Sequence, residues 1–205
     1  LESWIQWGID MLDHIDGMFA FAIWDRQLRK LFAARDRMGE KPFYYHYDGK
    51  SFGFSSRPKP LFKLIKGLST EYDEQALRLF LESGYVPAPH SIHKAIKKLP
   101  ASHFLVVDAE GLEINRYWDL RIITPESNWS YRSEENLLDE LDEVLVRSVK
   151  ERMISDVPFG AFLSGGIDSS LMVAMMGKHT NTPVKTFTIG FEEKAYDESS
   201  DAQAV

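Results

Sequence analysis

Read for its alternation of apolar and polar positions, the chain has a strand-rich first half and a second half where helical periods take over. Residues 18–25 (Met-Phe-Ala-Phe-Ala-Ile-Trp-Asp) alternate bulky and small side chains. Phe19, Phe21 and Ile23 share one face, which predicts a strand under a packed layer, with the stripe as core. Residues 26–30 turn the chain and 31–35 return it. Residues 42–47 and 51–55 flank Asp48-Gly49, a pair suited to a hairpin turn that needs positive φ. One helix is predicted over 59–66. A second runs over 73–83, with Asp73 as its cap and Gly84 as its stop. Residues 86–89 (Val-Pro-Ala-Pro) form a loop, since neither proline fits a helix interior. Residues 102–108 and 112–117 make a last hairpin around Glu110-Gly111.

The texture then changes. Residues 119–132 are polar, contain Pro125 and show no period, and read as a linker. Ser133 suits a helix cap, with Glu134 and Glu135 in the first turn where the macrodipole favours them. Leu137, Leu141, Val144, Leu145 and Val149 mark that helix's apolar face, which is expected to find few partners. Pro158 blocks any continuation. Residues 159–163 predict a short buried strand, 164–168 a tight loop, 169–178 a helix and 184–189 another strand. Strand, loop, helix, strand is the order of a parallel βαβ unit. The expected organisation is therefore 1–118, a linker at 119–132, and an α/β part at 133–205 that holds one such unit.

Charge and composition narrow the classes. Among 205 residues, 24 Lys and Arg face 31 Asp and Glu, a net charge of −7. That argues against nonspecific binding to nucleic acid or to anionic membranes. No apolar run approaches the ~18 residues of a membrane span. The start, Leu-Glu-Ser-Trp-Ile-Gln-Trp, lacks a secretory signal's basic and apolar regions, so a cytoplasmic protein is expected. The sequon Asn128-Trp129-Ser130 then means little. The chain opens on Leu1, and an excerpt of a longer protein is the expectation. There is no Cys, which excludes disulfides, thiolate zinc sites and cysteine nucleophiles within these residues. Of six His, only His90 and His93 lie close together, and they read as a solvated loop.

The strongest chemical signal is Phe162-Leu-Ser-Gly-Gly-Ile-Asp-Ser-Ser170. Gly165 and Gly166 let backbone N–H groups converge, and Ser164, Ser169 and Ser170 add hydroxyls. The segment ends at a helix N-terminus, where the dipole and unpaired N–H groups favour anions. This is a polyphosphate cradle but not a Walker A loop, whose Lys is replaced here by Ile167-Asp168. A carboxylate in that place suits a loop that holds pyrophosphate as a leaving group, with Mg²⁺ on Asp168 offsetting its charge.

Ser164-Gly-Gly-Ile-Asp-Ser169 resembles the pyrophosphate loop of the ATP-pyrophosphatase families. The upstream segments His14-Ile-Asp-Gly-Met-Phe-Ala-Phe-Ala-Ile-Trp-Asp25, Ala34-Arg-Asp-Arg-Met-Gly-Glu-Lys-Pro-Phe-Tyr-Tyr45 and Gly84-Tyr-Val-Pro-Ala-Pro89 resemble the glutamine-hydrolysing asparagine synthetases. So do Lys97-Lys-Leu-Pro-Ala101 and Ser155-Asp-Val-Pro-Phe-Gly160, and the likeness covers nearly the whole chain. It implies an α+β first part, an incomplete Ntn-type glutaminase sandwich, followed by an incomplete α/β parallel-sheet ATP-pyrophosphatase domain. It implies glutamine, aspartate and ATP as substrates, Mg²⁺ as cofactor, and a homodimer as a further expectation. It places Asp16 at the glutamine α-amino group; taken alone, Asp16 reads equally as a turn aspartate. It places Leu163 and Ile189, at consecutive strand ends, against adenosine, where they would otherwise read as core. Leu163, Ser164, Gly165, Gly166, Asp168, Ser169, Ser170 and Ile189 are thus the expected ATP and pyrophosphate set.

The departures matter. That family's glutaminase nucleophile is an N-terminal Cys, and this chain has none. No catalytic residue is therefore assigned, and these 205 residues alone are expected to turn over neither glutamine nor aspartate. Alternative readings are a related amidotransferase or a β-lactam synthetase-like enzyme with another carboxylate acceptor, and an inactive nucleotide-binding module. Arg35, Asp36 and Arg37 are expected to pair with the chain's own loops rather than read a ligand, and Asp197 to cap the next helix.

Overall fold

In the computed structural model, which describes residues 1–121 and 133–205, the predicted alternation closes into paired strands. The chain forms two compact units, Leu1–Ile122 and Ile123–Val205. Of the expected linker, residues 122–132 lie outside the described residues, and so does the sequon.

The first unit opens on a helix, α1 (Glu2–Trp7), and a 3-10 turn (Gly8–Asp13), neither of them expected from the pattern. Strands β1 (Ala20–Asp25), β2 (Lys30–Arg35), β6 (His103–Val107) and β7 (Leu112–Arg116) form one antiparallel sheet in the order β1-β2-β6-β7. Strands β3 (Tyr44–Tyr47), β4 (Phe52–Ser55) and the two-residue β5 (Lys97–Lys98) form a second, in the order β4-β3-β5. Between them in sequence lie α2 (Pro58–Leu64), which starts on a proline, and α3 (Glu74–Ser83). Asp73 caps α3 by accepting from the N–H groups of Gln75 and Ala76, and Gly84 ends it in the left-handed conformation, as expected.

Strand β2 shows why the layers stack as they do. Successive side chains leave a strand on opposite faces. Ala33 packs with Phe43, Tyr45, Leu99 and Leu105, joining the two sheets. Phe32 and Ala34 face the other way, into Met11 and Leu12 of the 3-10 turn, with Phe19, Phe21 and Ile23 around them. The aromatic stripe is core. Strand β2 is thus covered on both faces.

The second unit holds α4 (Glu134–Arg152), β8 (Ala161–Phe162), α5 (Ile167–Lys178), β9 (Thr186–Phe187) and α6 (Ser199–Ala204). Strands β8 and β9 pair in parallel, Ala161 with Thr186 and Phe162 with Phe187, around α5: the βαβ order is present. Ser133 caps α4 by accepting from the Asn136 N–H at 3.2 Å. Val149, Met175 and Met176 form the small core, with Ala161 and Val184 from the strand side.

Two expectations change here. The 159–163 segment is not a buried strand: β8 has two residues, Phe162 is 80% exposed, and only Leu163 is buried. Helices α4 and α5 cover the face that carries Ala161 and leave the opposite face, where Phe162 and Phe187 point, open to solvent. The α4 stripe finds few partners, as expected. Val149 is buried at its C-terminal end, where Met175 and Met176 reach it, while Leu141 and Val144 stay exposed. Asp197 caps less directly than expected. Glu198 is the residue before α6, and the Asp197 carboxylate accepts from the N–H and hydroxyl of Ser199.

Candidate functional site

In the first unit the expected glutamine contact, Asp16, follows the 3-10 turn and presents a side chain that is 82% exposed. Arg37 holds it: Nη1 donates to Asp16 Oδ1 at 2.9 Å and to the Ile15 carbonyl at 2.8 Å, and Nη2 to the Leu12 carbonyl at 3.3 Å. The segment that carries Arg37 is itself tied down. The Arg35 guanidinium donates to the carbonyls of Lys41, Leu99 and Gly39. Burial pushes that guanidinium below its ordinary pKa. Asp36 is fully buried and accepts from the N–H groups of Glu40 and Lys41 at 2.8 and 2.9 Å. The cluster pairs with the chain's own loops, as expected. Sequence reasoning did not link Arg37 to Asp16, because 21 residues separate them and only the fold closes the gap.

In the second unit residues 163–166 join β8 to α5, whose first turn carries the rest of the 164–170 loop motif. Gly165 has φ +81°, and a Cβ there would lie 2.5 Å from the Asp201 carbonyl carbon, so α6 backs directly onto the loop. Gly160 is required for a different reason: a Cβ would meet the Lys185 carbonyl oxygen at 2.5 Å, where β9 crosses close to β8. Neither close approach had a signal beyond the glycines themselves.

The loop's hydroxyls are turned onto its own backbone. Ser169 Oγ accepts from the Ser164 N–H at 3.2 Å and donates to the Gly166 carbonyl at 3.2 Å. Ser164 Oγ lies 3.0 Å from Ser169 Oγ and accepts weakly from the Gly166 N–H at 3.4 Å. The Ser170 N–H already serves the first helical turn, on the Gly166 carbonyl. A bound anion would therefore exchange these hydroxyl contacts for its own oxygens. Asp168 stands exposed in the first turn of α5. Among the described residues no group of three or more His, Asp or Glu is placed to hold a metal ion by itself. A lone carboxylate still fits Mg²⁺, which in nucleotide sites takes one or two carboxylates and completes its shell with phosphate and water.

Above the loop an open cleft of about 360 Å³ brings Leu163, Ser164, Ser169 and Ile189 together, with Phe162 and Phe187 as apolar walls. Leu163 is buried, whereas Ile189 is exposed just beyond the end of β9. Thr188, which sequence reasoning passed over, lines the same cleft and donates through Oγ1 to the Leu163 carbonyl at 2.7 Å. Among the described residues no helix is long and apolar enough to cross a membrane.

Comparison with known proteins gives two domain matches: a glutamine amidotransferase domain over residues 1–118 and asparagine synthase over residues 140–205. The chain is 40% identical over 203 residues to "Putative asparagine synthetase [glutamine-hydrolyzing] 2" of Methanocaldococcus jannaschii, covering 97% of this chain and 38% of that protein. It is 36% identical over 198 residues to "Asparagine synthetase [glutamine-hydrolyzing] 3" of Bacillus subtilis, covering 94% of this chain and 31% of that protein. The chain thus spans well under half the length of these relatives. A solved glutamine phosphoribosylpyrophosphate amidotransferase from B. subtilis aligns with 96% of this chain and 39% of its own at 16% identity, with a TM-score of 0.32.

Proposed function

The chain belongs to the glutamine-hydrolysing asparagine synthetase family, and from that premise we propose that it serves an ATP-driven ligase that makes an amide from a carboxylate and glutamine-derived ammonia. In this reading residues 1–118 belong to the ammonia-releasing half, an Ntn-type glutaminase. Asp16 accepts the α-ammonium of glutamine in a charge-assisted hydrogen bond while Arg37 fixes the carboxylate's direction. Residues 133–205 belong to the synthetase half, an ATP-pyrophosphatase domain.

There the aspartate β-carboxylate attacks the α-phosphorus of ATP, the bond to the β-phosphate oxygen breaks, and pyrophosphate leaves. The resulting AMP ester turns a poor electrophile with a poor leaving group into a reactive acyl group, and ammonia displaces AMP to give asparagine. The chain's own part is to bind and orient. Loop N–H groups at the start of α5 receive the charge that develops on pyrophosphate, and the helix dipole points the same way. Leu163 and Ile189, at consecutive strand ends, flank the adenosine. Asp168 would hold Mg²⁺ there, and the ion would supply charge neutralisation for the departing pyrophosphate.

The observation that carries this reading is the 164–170 loop itself, set at the end of a parallel strand pair and beside a cleft of about 360 Å³. The test is titration of the 205-residue chain with ATP and Mg²⁺, followed by amide NMR. Shifts centred on residues 164–170 with a millimolar midpoint, about −4 kcal/mol, are expected. Asp168→Ala should remove the Mg²⁺-dependent part. Shifts absent from the loop would overturn the reading.

A further inference from the structure

Strands β8 and β9 share only two residue pairs, so the ladder that supports the loop is short. Leu163, the residue at which the chain leaves β8, is nonetheless buried and bonded on both sides. Its N–H donates to the Phe187 carbonyl at 3.0 Å, and its carbonyl accepts from Thr188 Oγ1 at 2.7 Å. That carbonyl and the Ser164 N–H belong to one peptide unit, and a peptide unit is planar. The same Ser164 N–H donates to Ser169 Oγ at 3.2 Å. Two hydroxyls therefore grip one plane: Thr188 at its oxygen from β9, Ser169 at its nitrogen from α5. Past Phe187 the β8–β9 ladder has ended, and a side chain takes over where backbone pairing stops.

We propose that Thr188 is a positioning residue for the 164–170 loop: its hydroxyl fixes the plane of the Leu163–Ser164 peptide and so aims the loop's N–H groups at the anion. Its effect on ligand rests on the reading of the loop as a phosphate cradle; its effect on the loop does not. Thr188 touches no phosphate in this role and acts through Leu163. The planar constraint makes the effect directional, since a rotation freed at the carbonyl swings the Ser164 N–H by the same angle.

Thr188→Val removes the hydroxyl and keeps the branched shape, at an exposed position where folding tolerates it. Thr188→Ser keeps the hydroxyl and removes the methyl. Both are compared with the parent 205-residue chain in amide hydrogen exchange at Ser164 and Gly166 without ligand, and in titration with inorganic pyrophosphate and Mg²⁺. In Thr188→Val, exchange at these amides should rise and pyrophosphate affinity fall, each by about fivefold, the size of one lost hydrogen bond. Thr188→Ser should restore both. Parent-like exchange and affinity in Thr188→Val would overturn the proposal, as would equal losses in Thr188→Ser. If the parent chain shows no pyrophosphate shifts, the cradle reading fails, and the ligand-free exchange alone judges Thr188: faster in valine and restored in serine upholds it.

Discussion

Single side chains do much of the fastening in the first unit, and Arg35 is the clearest case. Its planar fork serves three carbonyls from two separate segments, Lys41, Gly39 and Leu99. A lysine ammonium is a point donor and cannot reproduce that fork. Arg35→Lys should therefore cost about 2–4 kcal/mol, since each hydrogen bond to a charged group is worth about 1.5–3 kcal/mol and not all are lost. Urea denaturation measures this, and a change below about 0.5 kcal/mol would show the fork to be dispensable. Tyr117 closes the same region, its hydroxyl donating to the Arg35 carbonyl at 2.8 Å. Burial pushes its phenol up to about 12 from 10.0. The sign follows: the neutral phenol suits the folded state, so its contribution is intact below pH 10 and is lost as pH rises from 10 toward 12. Absorbance titration should show Tyr117 ionising well after the exposed tyrosines, beside Tyr45, which burial also raises, and Tyr117→Phe should remove one tyrosine from the late part of the curve.

Secondary-structure elements were legible where the chemistry is local. The α3 helix is an example: its period, Asp73 at the cap and Gly84 at the stop all lie within a dozen residues. Burial alone would raise the Asp73 carboxyl. The Ala76 and Gln75 N–H bonds, with Lys97 and His90, outweigh it and leave the pKa below its ordinary value. Asp73→Ala should thus cost about 1 kcal/mol at neutral pH. Because the folded pKa is depressed, the difference from the parent should shrink as pH falls below 3.8, which denaturation at pH 7 and in acid will check. Strand β8 is the opposite case. Its apolar run promised burial, yet only one face finds cover, because α4 and α5 both lie on the side of Ala161. Gly165 shows how tightly that unit is joined nevertheless. Alanine there meets both a positive φ and the Asp201 backbone, so Gly165→Ala should cost about 1–3 kcal/mol and speed hydrogen exchange in α6 first. Unchanged exchange in α6 would mean that the helix does not depend on this contact.

Across the chain, protection should follow how completely each element is covered. Strand β2 is buried on both faces and paired on both edges, by β1 and β6, whereas β8 and β9 are two residues long with Phe162 and Phe187 exposed. Hydrogen exchange should therefore be slowest at Phe32, Ala33 and Ala34 and fast throughout β8 and β9. Equal protection in the two units would contradict that ranking. Hairpins, caps and the Gly-rich turn could all be read from residue order, because turn conformation and helix capping act over a few consecutive residues. The connection from β8 through Gly165 and Gly166 into α5 was legible for the same reason, its signal lying within a few residues. Pairings across long separations were not. Strand β6 beside β2, Arg37 on Asp16, Asp201 behind Gly165 and Thr188 on Leu163 each join residues that are 21 or more apart. A side chain's partner at that distance depends on register and on which face a helix covers, and those arise only once all the layers have packed together.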